Sequence, residues 1–113
     1  MIVHEEKRGD IVVMAPEGAL GEAPLKELEE SVGKFEQGKV VIDLSRLTHI
    51  NSQGVSFILN TWRRFTRAKG RLVIAGARGP VSEVFAVTRI RTFVPMADDV
   101  GQAVALLERP AES

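Results

Sequence analysis

The chain has 113 residues, 15 basic and 15 acidic side chains for a formal net charge of zero, and no cysteine. That length suits one domain, expected to span 1–113, and the missing cysteine excludes disulfides, thiolate metal sites and a cysteine nucleophile. The charge balance argues against a general nucleic-acid binder, whose footprint is a net basic surface.

Residues 1–10 mix His, Glu, Lys and Arg without a long apolar run, so they do not read as a secretory signal. No window of the chain approaches the ~18 apolar residues a membrane span needs, and the cytoplasm is the default compartment. Two extended runs, Ile2–Lys7 and Ile11–Ala15, flank the turn signal Gly9-Asp10, which predicts a β-hairpin. His4, Glu5 and Glu6 alternate sides along the first run, so they cannot gather one metal and read as a solvated edge. A Gly/Pro-rich connection follows over 16–24. Leu25, Leu28, Val32 and Phe35 recur at helical spacing among charged residues, predicting an amphipathic helix that ends near Gly33 or Gly38.

Lys39–Leu44 is a β-branched apolar run, as in a buried strand, and 45–51 reads as a loop. From Ser52 to about Lys69 the pattern is helical, with Gly70 where a C-terminal cap belongs. Leu72–Gly76 is a second buried strand. Gly76-Ala77-Arg78-Gly79 then reads as a tight turn, since it lacks the glycine spacing of a nucleotide-binding loop. Pro80 starts a short helix covering Val81, Val84, Phe85 and Val87. Thr92–Met96 reads as a last strand. Asp98 and Asp99 precede a C-terminal helix over 100–107, where acid suits the helix dipole. The order is ββαβαβαβα: an α/β fold with a largely parallel central sheet, helices packed on it, and an N-terminal antiparallel hairpin.

The helix that opens at Ser52 is wider in its apolar face than a sheet needs. Val55, Phe57, Ile58, Leu59, Trp62 and Phe65 span roughly 200° of its circumference, against a stripe somewhat over ~100° for a helix lying on a sheet. Some of that surface is expected to stay exposed. Ser52, Val55, Ser56 and Leu59 share one face, which sets a hydroxyl beside a small apolar patch at the helix start. Gly54 costs helix stability by about 1 kcal/mol relative to alanine, which points to a close backbone approach there. Spacing alone equally admits a plain N-cap at Ser52 with Val55 and Leu59 in the core.

Val41-Ile42-Asp43-Leu44-Ser45 followed by Ile50-Asn51-Ser52-Gln53-Gly54-Val55 resembles the signature of the STAS anti-sigma factor antagonists, in which an apolar strand and Asp-Leu-Ser lead to Asp-Ser-Ser/Thr-Gly-Leu-Gly at a helix start. Gly18-Ala19-Leu20 is similar to the family's Gly-x-Leu-Asp turn, and the match runs through nearly the whole chain. The resemblance implies a STAS-like fold, no enzymatic activity and no cofactor or metal. It implies a cytoplasmic binding module that sequesters an anti-sigma factor, itself an ATP-using serine kinase, with Ser52 as the phosphorylated residue. Asn51, Gln53, Gly54, Val55, Ser56 and Leu59, with Val84 on the next helix, would form the partner contact. The chain departs from the pattern at Asn51 (Asp), Gln53 (Ser/Thr), Ser56 (Gly), Gly21 (Asp) and Arg89 (Gly). Those departures keep a second reading open, a STAS subunit of a lipid-transport ATP-binding cassette or stressosome-like complex that binds without phosphorylation.

Other constellations are weaker. Asp43, His49 and Ser52 have the residue types of a hydrolase triad, without the Gly-x-Ser-x-Gly elbow. Ser45 is a lesser phosphorylation candidate, by composition only. Arg63, Arg64, Arg67 and Lys69 make a basic helix flank, solvated or recruiting an acidic partner. No apolar surface beyond the Ser52 face is expected, which favours a monomer when the protein is free.

Overall fold

The computed structural model describes residues 2–21 and 25–109. A hairpin comes first, β1 (Val3–Arg8) pairing antiparallel with β2 (Ile11–Pro16) across Gly9, whose φ of +64° suits a turn. The outer strand β1 is exposed and charged along most of its length, a composition that discourages edge-to-edge pairing with other chains. Strands β2, β4 (Lys39–Asp43), β6 (Arg71–Ala75) and β7 (Met96–Ala97) then follow in parallel, giving a five-stranded sheet in the order β1-β2-β4-β6-β7. The sheet grows steadily in one direction. Right-handed crossovers therefore put the three connecting helices on the same face: α1 (Leu25–Gly33), α2 (Ser52–Arg67) and α3 (Gly79–Thr88). The last helix, α4 (Val100–Glu108), covers the other face.

The two-residue period of the strands divides the core accordingly. Val12, Met14, Val40, Ile42, Leu72 and Ile74 face α1, α2 and α3, while Ile11, Val13, Val41, Val73 and Ala75 face α4. Asp99 caps α4, its carboxylate accepting from the Gln102 N–H at 2.8 Å, as an acid at that helix start should. Arg71 holds the other end of α4: its guanidinium donates to the carbonyls of Leu106, Leu107 and Arg109.

Several expectations need correction. Two short strands lie in segments read as connections: β3 (Gly18–Leu20) and β5 (Leu47–Ile50) pair parallel as a separate two-stranded sheet. The order is therefore βββαββαβαβα, with the added pair set beside the main sheet. The strand expected at 92–96 is mostly replaced by a turn: a 3-10 turn (Ile90–Thr92) runs into it, and the Phe93 and Val94 N–H groups bond back to the Ile90 carbonyl at 3.0 Å each. Pro95 has no N–H for a ladder, so only Met96–Ala97 joins the sheet. Helix α2 ends in a Schellman turn in which Lys69, not Gly70, takes the left-handed conformation at φ +66°. Lys69 N–H bonds Thr66 O at 3.2 Å and Gly70 N–H bonds Phe65 O at 2.8 Å. Gly70 is needed for space: a Cβ there would stand 2.0 Å from the Glu36 carbonyl oxygen.

The outer surface of α3 also differs from expectation. Val81 and Phe85 are buried and Val84 is half-buried, but Val87 is 84% exposed. Phe93, just beyond, is 60% exposed, and Ile2 is exposed as well. The expectation of no apolar surface beyond the Ser52 face therefore fails.

Candidate partner-binding site

The start of α2 is held by the chain's own backbone. Asn51, in extended conformation, is the N-cap, so the capping role that spacing allowed to Ser52 falls one residue earlier. Its Oδ1 accepts from the Gly54 N–H at 3.1 Å, and its Nδ2 donates to the Gly21 carbonyl at 3.2 Å. Its main-chain N–H bonds the Leu20 carbonyl at 3.2 Å. The amide thus clasps the end of β3 to the start of α2. Gly21 makes room for it, since a Cβ there would stand 1.7 Å from Asn51 Oδ1, and its φ of +128° disfavours any side chain.

Gly54 meets the close approach that its position in a helix suggested, but the approaching backbone is internal. A Cβ on Gly54 would lie 2.7 Å from both the Leu20 carbonyl oxygen and Ile50 Cγ1. Gly54 is therefore buried and supports the site from beneath; it does not sit on the contact surface.

Ser52 is the first residue of α2 and is exposed. With Asn51 satisfying the Gly54 N–H, the first-turn N–H groups of Ser52 and Gln53 are those left for an outside acceptor. The first turn carries no acidic side chain. Around the helix from Ser52 the surface changes character on two sides. On one side Val55, Leu59 and Trp62 form a half-buried apolar row, packed at its base on the core. On the other side Ser52, Gln53, Ser56 and Asn60 line a groove against Leu25 and Glu29 of α1, about 350 Å³ in volume, closed at its far end by Arg64. Arg64 is fixed there by an ion pair with Glu36 and by lying over Gly33. The fully buried stripe runs through Gly54, Phe57, Ile58, Thr61 and Phe65, one side of the wide apolar face, toward α1. This placement leaves the Val55–Leu59–Trp62 row half-covered. Val84 is likewise half-buried on α3.

The hydrogen bonds of the triad-type residues lead elsewhere. Asp43 Oδ1 accepts from the Ser45 N–H at 3.0 Å, and His49 Nδ1 pairs with Thr48 Oγ1 at 3.1 Å. Among the described residues no group of His, Asp or Glu is placed to hold a metal, and no helix is long and apolar enough to cross a membrane.

The family model of the STAS domain matches residues 3–103. The chain belongs to the STAS domain family. BtrV of Bordetella bronchiseptica, provisionally named an anti-sigma factor antagonist, is 27% identical to this STAS domain over 103 residues, covering 88% of this chain and 89% of BtrV. A Thermotoga maritima crystal structure with the same provisional description superposes with a TM-score of 0.85 at 18% identity, covering 95% of each chain. The Bacillus cell-fate determinant SpoIIAA, solved in its phosphorylated form, superposes with a TM-score of 0.69 at 16% identity, over 95% of this chain and all (100%) of that one. Identities this low establish a shared fold.

What sequence reasoning missed at this STAS site is its roof, strand β3 with Leu20 and Gly21. The signal was the Gly18-Ala19-Leu20 turn, which could be matched to the family pattern but not paired with Leu47–Ile50 from spacing.

Proposed function

We propose that this STAS domain is an anti-sigma factor antagonist: a non-catalytic cytoplasmic binding module whose α2 start docks on an anti-sigma factor that is also an ATP-dependent serine kinase. The kinase transfers the γ-phosphoryl group of ATP to Ser52 Oγ, which gives up its proton as ADP leaves, and the complex separates. The observation that carries this reading is an exposed Ser52 at the first position of α2, standing between the half-buried Val55–Leu59 row and the polar groove of Gln53 and Ser56.

The physics of a switch follows from that placement. A phosphoryl group adds about −1.5 to −2 charges. At a helix N-terminus with free N–H groups and no acidic neighbour in the first turn, the free protein tolerates it or gains from it. Pressed against a partner's apolar surface, the same charge loses its water and the complex weakens. The fold and the interface therefore respond to one modification with opposite signs.

The test is an affinity pull-down from native cytoplasm with intact-mass measurement of the bait. An ATP-binding serine kinase as prey is expected, with one phosphate on Ser52 in the unbound pool. Ser52→Asp should lower recovery at least tenfold while Ser52→Ala keeps it; equal recovery by all three baits sinks the reading.

One observation favours a second reading. Asn51 uses its amide to donate to Gly21, so no carboxylate stands beside Ser52 where the family pattern has one. A STAS subunit of a transport or stressosome-like complex would dock through the same α2 start without phosphorylation. A transporter ATPase or a large scaffold as prey, with Ser52 unmodified, would decide for it.

A further inference from the structure

The corner where α3 ends is another place, besides the α2 row and Ile2, where apolar side chains meet solvent among the described residues. Val87 lies in the last turn of α3 and is 84% exposed; Phe93 follows the 3-10 turn and is 60% exposed. The turn between them is compact, tied by Thr92 N–H to Arg89 O and by Phe93 and Val94 N–H to Ile90 O. It folds back along α3, since the Arg91 guanidinium reaches Ser82 Oγ at 3.3 Å. Val87 and Phe93 stand six residues apart, on either side of that compact turn. Val84 stands one turn before Val87 on the same helix, so the corner continues the half-buried apolar position there.

The charge around this corner is not balanced. Arg89 and Arg91 are both exposed between the two apolar residues, and neither joins an ion pair among the described residues. Glu83 is the one acidic residue in 78–93, against Arg78, Arg89 and Arg91. In a chain of zero net charge this is a local basic excess. Arg89 also holds a left-handed conformation, φ +57°, at the end of α3. A glycine would adopt that conformation without cost, whereas an arginine there brings strain together with its charge.

We propose that the Val87–Phe93 corner is a second docking surface, for a protein partner that presents an apolar side chain inside an acidic rim. Val87 and Phe93 would enclose the apolar group, and Arg89 and Arg91 would meet the carboxylates. Exposed charges of this kind mainly set encounter rate and register, and they respond to salt. The surface does not depend on Ser52 being phosphorylated, so it serves an unmodified complex as well as a switched one.

The experiment uses the full chain as bait in native lysate, with prey identified by mass and the purified complex mapped by amide hydrogen exchange. Four baits are compared: wild type, Ser52→Asp, Arg89→Gly, and Val87→Ser with Phe93→Ser. The double variant changes only exposed side chains, and Arg89→Gly relieves the left-handed strain, so both should melt at or above the wild-type temperature. Protection of 87–93 in the wild-type complex is expected. Recovery should fall at least tenfold with the double variant and severalfold with Arg89→Gly or with added salt. Loss with Ser52→Asp but full recovery with the double variant overturns the corner and keeps the α2 site. Loss with the double variant but not with Ser52→Asp keeps the corner and overturns the switch. Recovery of no prey by the wild-type bait overturns the corner as a partner surface, as does a sizing mass that drops from dimer to monomer only in the double variant, since a second copy would then be the occupant.

Discussion

At its N-terminal end α2 runs under β3, with the Leu20 carbonyl oxygen placed 2.7 Å from where a Cβ of Gly54 would stand; at its C-terminal end the Glu36 carbonyl oxygen lies 2.0 Å from the same point on Gly70. Both ends rely on a glycine to admit backbone, yet they do different work. At the C-terminal end the Schellman turn uses the last carbonyls, and Arg64 is drawn across to Gly33 at the end of α1 and to Glu36 just beyond it. At the N-terminal end everything beneath the helix is fixed, while Ser52, Gln53 and Ser56 remain on the surface. The difference teaches that rigidity at the α2 start lies one layer below Ser52. Asn51 and Gly54 hold the backbone beneath Ser52, so the modification proposed for Ser52 would leave the fold unmoved.

Gly70→Ala is the strongest way to break the comparison. A methyl group 2.0 Å from backbone oxygen cannot be absorbed by a side-chain rotation, so the α1–β4 connection must shift. A loss of roughly 3 kcal/mol is expected, at the upper end of overpacking penalties. Urea denaturation would show it as a lower midpoint at unchanged slope, with partner affinity of the folded fraction unaltered. Gly54→Ala comes next. Its Cβ meets Leu20 O and Ile50 Cγ1 at 2.7 Å, and the helix regains about 1 kcal/mol of propensity, so the net loss should be nearer ~1–2 kcal/mol. Here, however, the start of α2 must move, and partner recovery should fall together with stability. Equal effects on binding from the two alanines would erase the distinction between the ends.

How much of this was legible depended on element length and period. The helix at 52–67 and the strands at 11–16, 39–43 and 71–75 carry long periodic or apolar runs, and each was readable within a residue or two. Strand β5 was not, because Leu47 and Ile50 are buried while Thr48 and His49 between them are exposed, which breaks two-residue alternation. Strand β3 has three residues, too few for any period, and it is defined by its partner across the sheet. The cap was misplaced by one residue because Asn51 and Ser52 both have capping chemistry; only the Gly21 carbonyl, distant in sequence, selects the amide. Val87 lies roughly 120–160° round α3 from the buried Val81 and Phe85 at 100° per residue, so the helix turns it to solvent. Ser52 itself was legible because exposure and helix-start position are local properties.

Asn51 sharpens the N-terminal half of the comparison. Asn51→Ala removes the cap and the clasp together, and a loss of about 1 kcal/mol is expected. Asn51→Asp keeps the acceptor for the Gly54 N–H but turns an oxygen toward the Gly21 carbonyl, 3.2 Å away, where the amide now donates. Its loss should be smaller than that of the alanine variant, since the helix dipole favours the new charge. Thermal melts rank the two, and amide exchange at Gly54 and Asn51 separates cap from clasp. An aspartate variant as damaging as alanine would mean that the clasp, not the cap, holds the α2 start.

The smallest effect lies upstream, where β3 begins. Glu17 precedes Gly18 and pairs with His4 of β1. Its carboxyl is held below the usual carboxylate value, first by the hydrogen bond from His4, opposed by desolvation, with lesser help from the charges of His4 and Arg46. A lowered folded-state value means that the charged form is favoured by folding. The resulting stability is present above the ordinary carboxylate pKa and is lost as pH falls through the lowered one. Both side chains are exposed, so the effect is slight and screened by salt. Glu17→Gln should therefore cost a little stability above the carboxylate range and flatten the acid limb, with variant and wild type converging at low pH. If exchange at Leu20 and Asn51 also rises in this variant above the carboxylate range, the His4–Glu17 pair is one of the supports of the β3 roof. If it does not, the clasp at Asn51 fixes that roof alone, and the fixed layer beneath Ser52 begins at Gly21.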